Sequence, residues 1–151
     1  MMQNSVKILP VNEAHLPKIV ELEQAIFSLP WSIDSFRSEM ESPDSHFTAA
    51  VLDGEVVGFC VLHLFDDEGE VFNIAVAREH RGKKYGDILL SEALGFADGS
   101  GINRIFLEVR KSNLPAIGLY TKHGFEILGI RKNYYDEPTE DAIIMQRTKN
   151  F

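Results

Sequence analysis

The 151-residue chain has a single cysteine, Cys60, and no apolar run close to the roughly 20 residues that a membrane-spanning helix needs. One cysteine cannot form an internal disulfide, and its apolar neighbours (VVGFCVLHL) are typical of a buried core residue rather than a nucleophile. The first ten residues, MMQNSVKILP, lack the long apolar segment of a secretory signal. We therefore expect a cytoplasmic protein that contacts no membrane.

Positive charge is scarce in this sequence. Lys and Arg total 15 against 23 Asp and Glu, and the formal net charge is −8. This balance argues against nucleic acid as the main partner and would suit a positively charged substrate. Several of the few positive residues nevertheless lie close together, at Arg78, Arg81, Lys83 and Lys84. A basic cluster in an acidic chain indicates a local site for an anion.

Other patterns that carry chemistry are missing. His63, His80 and His123 have no metal-ligand spacing among themselves or with carboxylates, so we predict no metal site. The GxGxxG fingerprint is absent, and no serine stands in a nucleophile-elbow context. A covalent nucleophilic mechanism therefore has no candidate residue.

The stretch from Glu70 to Asp87 contains the basic cluster. Its first half, EVFNIAV, is a β-branched and aromatic run that predicts a strand. Residues 81–86 then form a basic turn containing Gly82 and Gly86, and an apolar helical segment follows from Asp87. A strand, a glycine-containing turn and a helix place free backbone N–H groups and the positive helix end against an anion, usually a phosphate.

Periodicity and turn signals predict one α+β domain over residues 1–151, with a mixed, largely antiparallel sheet. We predict strands at 6–9, 47–52, 55–65, 71–76, 104–109, 125–130 and 142–147, and helices at 12–27, 33–40, 87–98 and 113–122. Asn12 and Ser32 are positioned to cap the first two helices, and Pro17 is expected to interrupt the first.

The connections between these elements fix part of the topology. Asp53-Gly54 predicts a tight hairpin, and the three strands from 47 to 76 are expected to form an antiparallel meander. Strands 71–76 and 104–109 are joined by a helical crossover, so we expect them to be parallel. A polar, aromatic loop at 131–141 is expected to join the last two strands.

Three polar residues lie near the crevice expected at the carboxyl ends of this parallel pair. Glu108 interrupts an apolar strand, and a carboxylate there either faces solvent or lies in a cleft. Tyr120, on the next helix, is either a core aromatic or a group for proton chemistry, and Asn113 is typical of a helix cap. Trp31, the only tryptophan, is either a core anchor or a wall of a substrate groove.

Residues 81–86, RGKKYG, resemble the Q/R-x-x-G-x-G/A loop with which GCN5-related N-acetyltransferases bind the pyrophosphate of acetyl-CoA. Further segments match this family in order and at its spacing: PWS at 30–32, FNIAV at 72–76, LEVRKSN at 107–113, LY at 119–120, HGF at 123–125, RKNYY at 131–135 and EDAIIM at 140–145. The resemblance covers nearly the whole chain and is greatest to members that acetylate the N-terminal alanine of a ribosomal protein.

This resemblance implies a mixed, mostly antiparallel sheet of about seven strands flanked by helices, with a central parallel pair splayed to form the cofactor cleft. It implies that Glu108 is the general base, taking a proton from the substrate ammonium directly or through water. It also implies that Tyr120 is the general acid that protonates the departing CoA thiolate.

The resemblance assigns binding residues as well. An N–H within the β-strand segment would polarise the thioester carbonyl, and the pantetheine arm would pair with the backbone of Ile74, Ala75 and Val76. The rest of the cofactor would contact Arg81, Gly82, Lys83, Lys84, Tyr85, Gly86, Asp87 and Asn113. The acceptor would be bound by Trp31, Tyr134 and Tyr135, with both tyrosines on the loop before the last strand.

Two residues depart from the family pattern. Lys84 occupies the first glycine-type position of the loop, and Asp87 stands just inside the helix that should face phosphate. Asp87 suits the helix dipole but would repel a bound pyrophosphate. We therefore expect weaker CoA binding than in a close family member.

The favoured function is transfer of acetyl from acetyl-CoA to the α-amine at the N-terminus of a protein, a ribosomal protein in particular. One alternative is a small amine or a lysine side chain, whose pKa near ~10.4 demands a stronger base than an α-ammonium of roughly 7.7–8.0. Another is a CoA-binding module without catalysis, favoured only by Lys84 and Asp87. We expect a monomer or a weak homodimer.

Overall fold

The structure is a computed structural model that describes residues 5–149. Its strands are β1 Lys7–Pro10, β2 Ser45–Leu52, β3 Glu55–Phe65, β4 Glu68–Val76, β5 Arg104–Arg110, β6 Glu126–Tyr135 and β7 Glu140–Thr148. Its helices are α1 Leu16–Ile26, α2 Ile33–Glu41, α3 Tyr85–Gly99 and α4 Leu114–Lys122. None of the helices in this described part is long and apolar enough to cross a membrane.

The seven strands form one sheet in the order β1-β2-β3-β4-β5-β7-β6. Neighbouring strands are antiparallel except β4 and β5, which are parallel and joined through α3. The hairpin between β2 and β3 turns at Asp53 and Gly54, with φ of 51° and 79°. Tight hairpins favour positive φ at both central residues, which Asp and Gly tolerate. The predicted mixed sheet, parallel pair and hairpin are confirmed.

The beginnings of α1 and α2 follow from local sequence. A 3-10 turn at Glu13–His15 precedes α1, and the Asn12 backbone N–H donates to His15 Nδ1 at 3.1 Å. The α-helix then starts at Leu16 with Pro17 in its first turn, where a missing N–H is harmless, so the predicted interruption is confirmed. Ser32 caps α2, because its Oγ accepts the Ser35 N–H at 3.1 Å.

Helices cover both faces of the sheet. Leu89 and Leu90 of α3 are fully buried in the core on one face. On the other face, Phe36 of α2 meets Phe59 of β3 edge to face, with ring centroids 5.5 Å apart. Cys60 of β3 is also fully buried, and burial raises the pKa of its thiol to about 12. The thiol is therefore uncharged at neutral pH, which confirms the prediction of a core residue.

The parallel pair separates soon after it begins. The register of β4 with β5 runs only from Glu68↔Arg104 to Glu70↔Phe106, after which β5 continues in register with β7 alone. At the same place β4 carries a bulge against β3, because Val71 pairs with Leu62 whereas Asn73 pairs with Val61, which leaves Phe72 as an extra residue. Bulges bend the strand that contains them. A cleft therefore opens between β4 and β5.

Several predicted boundaries were wrong, most of all the end of β6. β6 continues through Tyr135, so Tyr134 and Tyr135 belong to a strand and the connecting loop spans only 136–139. Pairing with β7 is irregular between Arg131 and Tyr135, which hides the strand's alternation from the sequence. α3 begins at Tyr85, two residues before the predicted start at 87, and β4 begins at Glu68, three residues before the predicted start at 71.

Candidate active site

A cavity of about 670 Å³ occupies the cleft between β4 and β5. Its walls come from the second half of β4, the end of β5, the first turns of α4 and the end of α1. Many residues predicted from the sequence line it: Ile74, Ala75, Val76, Arg81, Gly86, Glu108, Asn113, Tyr120 and Tyr135. Others lie beside it without forming its wall: Trp31, Gly82, Lys83, Lys84, Tyr85, Asp87 and Tyr134. The splayed strands thus gather distant parts of the chain at one site.

The cavity-facing edge of β4 offers its backbone to a ligand. Within residues 5–149, β4 has no β5 partner beyond Glu70, although it stays in register with β3 as far as Val76. An unpaired strand edge can bind an extended ligand that carries amide groups, much as it would bind another strand. Residues Ile74, Ala75 and Val76 are therefore placed to pair with such a ligand.

The turn before α3 presents further N–H groups. Ile88 donates the first backbone bond back into the helix, to the Lys84 carbonyl oxygen at 3.1 Å, so the N–H groups of Tyr85, Gly86 and Asp87 lack helical acceptors. Lys84 has φ of 67°, in the left-handed region that favours glycine. This backbone requirement gives a physical reason for a glycine-type residue at that position of the motif.

Asp87 does not stand unpaired in this turn. Its Oδ1 accepts hydrogen bonds from Lys122 Nζ at 2.9 Å and His123 Nε2 at 2.8 Å, both at the end of α4. Lys122 and then His123 hold the pKa of this carboxyl below its usual value. The predicted repulsion of pyrophosphate did not take these two partners into account, and it stays a prediction.

Glu108 lies in the cleft rather than on an open face of the sheet. Its side chain is 24% exposed, and Oε1 is 3.5 Å from Arg131 NH1. Oε2 is buried and has no hydrogen-bond partner among the described residues. A buried acceptor without a partner is unusual in a folded protein. Glu108 thus lines the cavity with a carboxylate that has one oxygen without a hydrogen-bond partner among the described residues.

Tyr120 reaches the same cavity from α4. It is 7% exposed, and its ring meets Phe125 edge to face with centroids 5.8 Å apart. Burial raises the pKa of the hydroxyl well above its usual value, so the group keeps its proton at neutral pH. Asn113 caps the same helix, because its Oδ1 accepts the Ala116 N–H at 3.2 Å. Both readings of Tyr120, core aromatic and proton-bearing group, fit this position.

Comparison with known proteins agrees with this geometry. The model of the acetyltransferase (GNAT) family matches residues 16–125. The chain belongs to the GNAT acetyltransferase family. A Bacillus subtilis protein provisionally named ribosomal protein bS18-alanine N-acetyltransferase is 41% identical over 133 residues, 87% of this chain and 88% of that protein. The Mycobacterium tuberculosis N-alpha-acetyltransferase RimI is 34% identical over 94% of this chain and 92% of its own.

Solved structures show the same relationship. The crystal structure of the ribosomal-protein-S18-alanine N-acetyltransferase from Escherichia coli superimposes with a TM-score of 0.89 at 31% identity. The superposition covers 97% of this chain and 96% of the E. coli chain. Ard1 from Thermoplasma volcanium has a TM-score of 0.90 at 23% identity, which shows a shared fold. The chain is thus a RimI-like GNAT protein along nearly its whole length.

The GNAT cleft contains a buried polar contact that the sequence did not reveal. Glu23 of α1 is 1% exposed, and its two carboxylate oxygens each accept Asn73 Nδ2 at 3.0 Å. Oε2 also accepts the backbone N–H of Trp31 at 2.9 Å. Burial raises the pKa of Glu23, while the Trp31 and Asn73 bonds oppose that rise. This contact ties α1 to β4 beside its bulge, at a residue of β4 that itself lines the cavity.

Arg110 is a second residue that helps to shape the cleft and that the sequence analysis did not identify. Its NH2 donates to Ser28 Oγ at 3.0 Å and to the Asp136 carbonyl at 2.9 Å, and its NH1 donates to the Pro138 carbonyl at 2.9 Å. The guanidinium carbon also lies 4.5 Å from the centroid of the Tyr135 ring. Arg110 therefore joins the α1–α2 connection to the β6–β7 loop across one end of the cavity.

The aromatic residues expected at the acceptor site have different positions. Tyr135 lines the cavity. The ring of Tyr134 meets the ring of Tyr135 edge to face, and their centroids are 5.0 Å apart. Burial raises the pKa of the Tyr134 hydroxyl, and the Glu108 carboxylate raises it further. Trp31 instead packs on Phe36 and Phe72, at 5.2 and 5.9 Å, and of these three only Phe72 lines the cavity. Trp31 therefore does not line the cavity but contacts Phe72, which does.

GNAT enzymes use acetyl-CoA, and the residues present fit this molecule. The free β4 edge suits the amides of pantetheine, and the α3 N-terminus suits pyrophosphate. Within residues 5–149, no group of three or more His, Cys, Asp or Glu side chains is placed to hold a metal ion.

Proposed function

We propose that this chain transfers an acetyl group from acetyl-CoA to the N-terminal α-amine of a protein, a ribosomal protein beginning with alanine in particular. The substrate class is carried over from the names of its relatives, including the E. coli enzyme that is 35% identical over 132 residues. The mechanistic part rests on one observation: Glu108 and Tyr120 line the same cavity between the splayed strands.

Acetyl-CoA would supply an acetyl group as an activated thioester whose CoA sulfur leaves. Ile74, Ala75 and Val76 would hold the pantetheine arm on the open edge of β4, with one backbone N–H polarising the thioester carbonyl. Arg81, Gly82, Lys83, Lys84, Tyr85, Gly86 and Asp87 would hold the pyrophosphate with backbone N–H groups and nearby cations. Asn113 would contact the cofactor at the start of α4.

Glu108 would take a proton from the incoming α-ammonium, directly or through water. The freed nitrogen lone pair then forms the new N–C bond while the C–S bond breaks. The ammonium of a peptide N-terminus has a pKa of roughly 7.7–8.0, against roughly 10.4 for a lysine side chain, so it is the easier of the two amines for a carboxylate to deprotonate. Two observations support this role: Glu108 lines the cavity, and its carboxylate has one oxygen without a hydrogen-bond partner among the described residues.

Tyr120 would give its hydroxyl proton to the departing CoA thiolate. Because burial keeps this hydroxyl protonated at neutral pH, the proton is present when negative charge develops on the sulfur. The proton that Glu108 has taken can then return Tyr120 to its starting state through solvent. The two residues thus move one proton each, in opposite directions relative to the enzyme.

The acceptor would enter past the aromatic and Arg110-linked end of the cavity. Phe27, Ser28, Tyr135 and Pro138 line this end, and Arg110 connects three of them through Ser28, Tyr135 and Pro138. Tyr134 would extend this wall outward, and Trp31 would support it through Phe72.

The mechanism is tested with Glu108→Gln and Tyr120→Phe. Each variant should lower kcat by at least about 100-fold for a peptide with N-terminal alanine. Calorimetric binding of acetyl-CoA should change little, because neither side chain is assigned to hold the cofactor. Glu126→Gln, at an exposed position on β6, is the matched control and should keep full activity. Full activity in both cleft variants would refute these roles.

A further inference from the structure

Asp87 is a problem for the pyrophosphate site because it adds negative charge to the first turn of α3. The helix begins after Lys84, so Asp87 lies within the group of residues whose N–H groups face the expected phosphate. Anions bind at helix N-termini through those N–H groups and through the helix dipole. An unpaired carboxylate at the same place would compete with the ligand.

The end of α4 supplies two cationic or hydrogen-bonding partners for this carboxylate. Lys122 Nζ and His123 Nε2 lie 2.9 and 2.8 Å from the same oxygen, Asp87 Oδ1. Lysine and histidine are favoured at a helix C-terminus, so both residues suit their own helix as well. One oxygen of Asp87 is thus saturated by donors that come from outside the phosphate-binding turn.

We propose that Lys122, through an ion pair, and His123, through a hydrogen bond, hold the Asp87 carboxylate on the α4 side, which preserves pyrophosphate binding at the N-terminus of α3. This inference rests on the proposed function, because it assumes that acetyl-CoA occupies the site. Lys122 and His123 act through Asp87 and are positioning residues, with no contact to the cofactor assigned to them.

The two partners differ in how firmly they are held. The His123 side chain is 15% exposed, and its backbone N–H donates to the Tyr120 and Leu119 carbonyls at 3.0 and 3.2 Å. The Lys122 side chain is 62% exposed, and exposed ion pairs contribute little on their own. We therefore expect removal of the His123 imidazole to have the larger effect.

The test is a thermodynamic cycle measured by calorimetric titration of acetyl-CoA into the free protein. His123→Ala and the double variant Lys122→Ala/His123→Ala should raise the Kd about three- to tenfold, since they expose the Asp87 charge to the phosphates. In an Asp87→Asn background, the same substitutions should change Kd by less than about twofold. Lys132→Ala, an exposed lysine on β6, is the matched control and should leave Kd unchanged.

A loss of affinity that persists in the Asp87→Asn background would overturn the proposal, because the two residues would then act on the cofactor or on the fold directly. The proposal would also be overturned if His123→Ala and the double variant left Kd unchanged in the protein that keeps Asp87. Melting temperatures of the ligand-free variants identify any folding defect. If His123→Ala is unstable, Lys122→Ala carries the cycle: it should give a smaller rise in Kd than His123→Ala, and this rise should disappear in the Asp87→Asn background. Absence of acetyl-CoA binding to the unchanged protein would refute the proposed function and this inference together, whereas a failed cycle alone would leave that function standing.

Discussion

Glu23 and Asn73 join helix α1 to the bulged strand β4 through hydrogen bonds of 3.0 Å, across 50 positions of sequence. Glu23 is 1% exposed and Asn73 is 8% exposed, so water does not compete for these groups. The same carboxylate accepts the Trp31 N–H, which anchors the connection between α1 and α2. The shape of the GNAT cleft thus depends on a polar contact beneath it.

Replacing Glu23 with Ala should destabilise the protein by about 2–4 kcal/mol, because it leaves two buried donors, Asn73 Nδ2 and the Trp31 N–H, without an acceptor. Urea denaturation followed by circular dichroism measures this change. Gln24→Ala, an exposed neighbour on the same helix, should alter stability by less than about 0.5 kcal/mol. Equal losses of stability in the two variants would show that the Glu23–Asn73 contact does not stabilise the fold.

Arg110→Lys should raise the KM for a peptide acceptor about five- to tenfold and the KM for acetyl-CoA much less. Lysine keeps the charge but cannot reach Ser28 Oγ and the two loop carbonyls together, nor stack on Tyr135 in the same way. Steady-state kinetics with each substrate varied in turn separates the two constants. Lys111→Ala, at the adjacent exposed position, is the control. A larger rise in the KM for acetyl-CoA would contradict the assigned place of Arg110.

Lys84→Gly should be more stable than Lys84→Ala by about 0.5–1 kcal/mol. Residue 84 has φ of 67°, where a Cβ is unfavourable, although glycine also gains entropy in the unfolded chain. Comparing the two variants removes the lysine side chain from both, so the difference reports the backbone alone. Thermal unfolding of the ligand-free proteins measures it, and an alanine variant as stable as the glycine variant would refute the strain.

Glu70→Gln should raise the melting temperature at pH 7.5. Burial raises the pKa of the Glu70 carboxyl, and the Glu108 carboxylate raises it further, while His63 and Arg131 oppose the shift. A folded-state pKa above the unfolded value means that stability is lost as pH rises through the folded pKa, and glutamine avoids this loss. The advantage should therefore shrink as the pH falls through about 4.3, the ordinary pKa of glutamate, because Glu70 then becomes protonated in the unfolded state as well.

The control for Glu70 is Glu126→Gln, at an exposed position on β6. Its melting temperature should follow that of the unchanged protein at every pH. A Glu70→Gln variant that is less stable at pH 7.5, or whose advantage does not depend on pH, would show that Glu70 is not held in an unfavourable charged state.

The sequence was sufficient to predict elements that depend only on neighbouring residues. Asp53-Gly54 identified its hairpin because both residues tolerate the positive φ that the turn needs. Ser32 identified the start of α2 because its own hydroxyl makes the cap. The extension of β6 to Tyr135 escaped prediction because its pairing with β7 is interrupted after Arg131, so no regular alternation marks the strand.

Features that depend on distant partners could not be found in the same way. Glu23 stands on the apolar side of α1 at helical spacing, and only Asn73 explains why a carboxylate is tolerated there. Asp87 looked unfavourable for phosphate because its partners lie 35 and 36 positions away, at Lys122 and His123. From the residues alone, Glu108 allowed two readings, and its buried Oε2 now favours the cleft.

The most direct test of the account is the site of acetylation in a single peptide that has both an N-terminal alanine and an internal lysine. The peptide is incubated with the protein and acetyl-CoA, and tandem mass spectrometry locates the added group. The account predicts one acetyl group on the α-nitrogen, and no transfer to the same peptide with a blocked N-terminus. Acetylation of the lysine in the blocked peptide, or of neither amine in the free one, would contradict it.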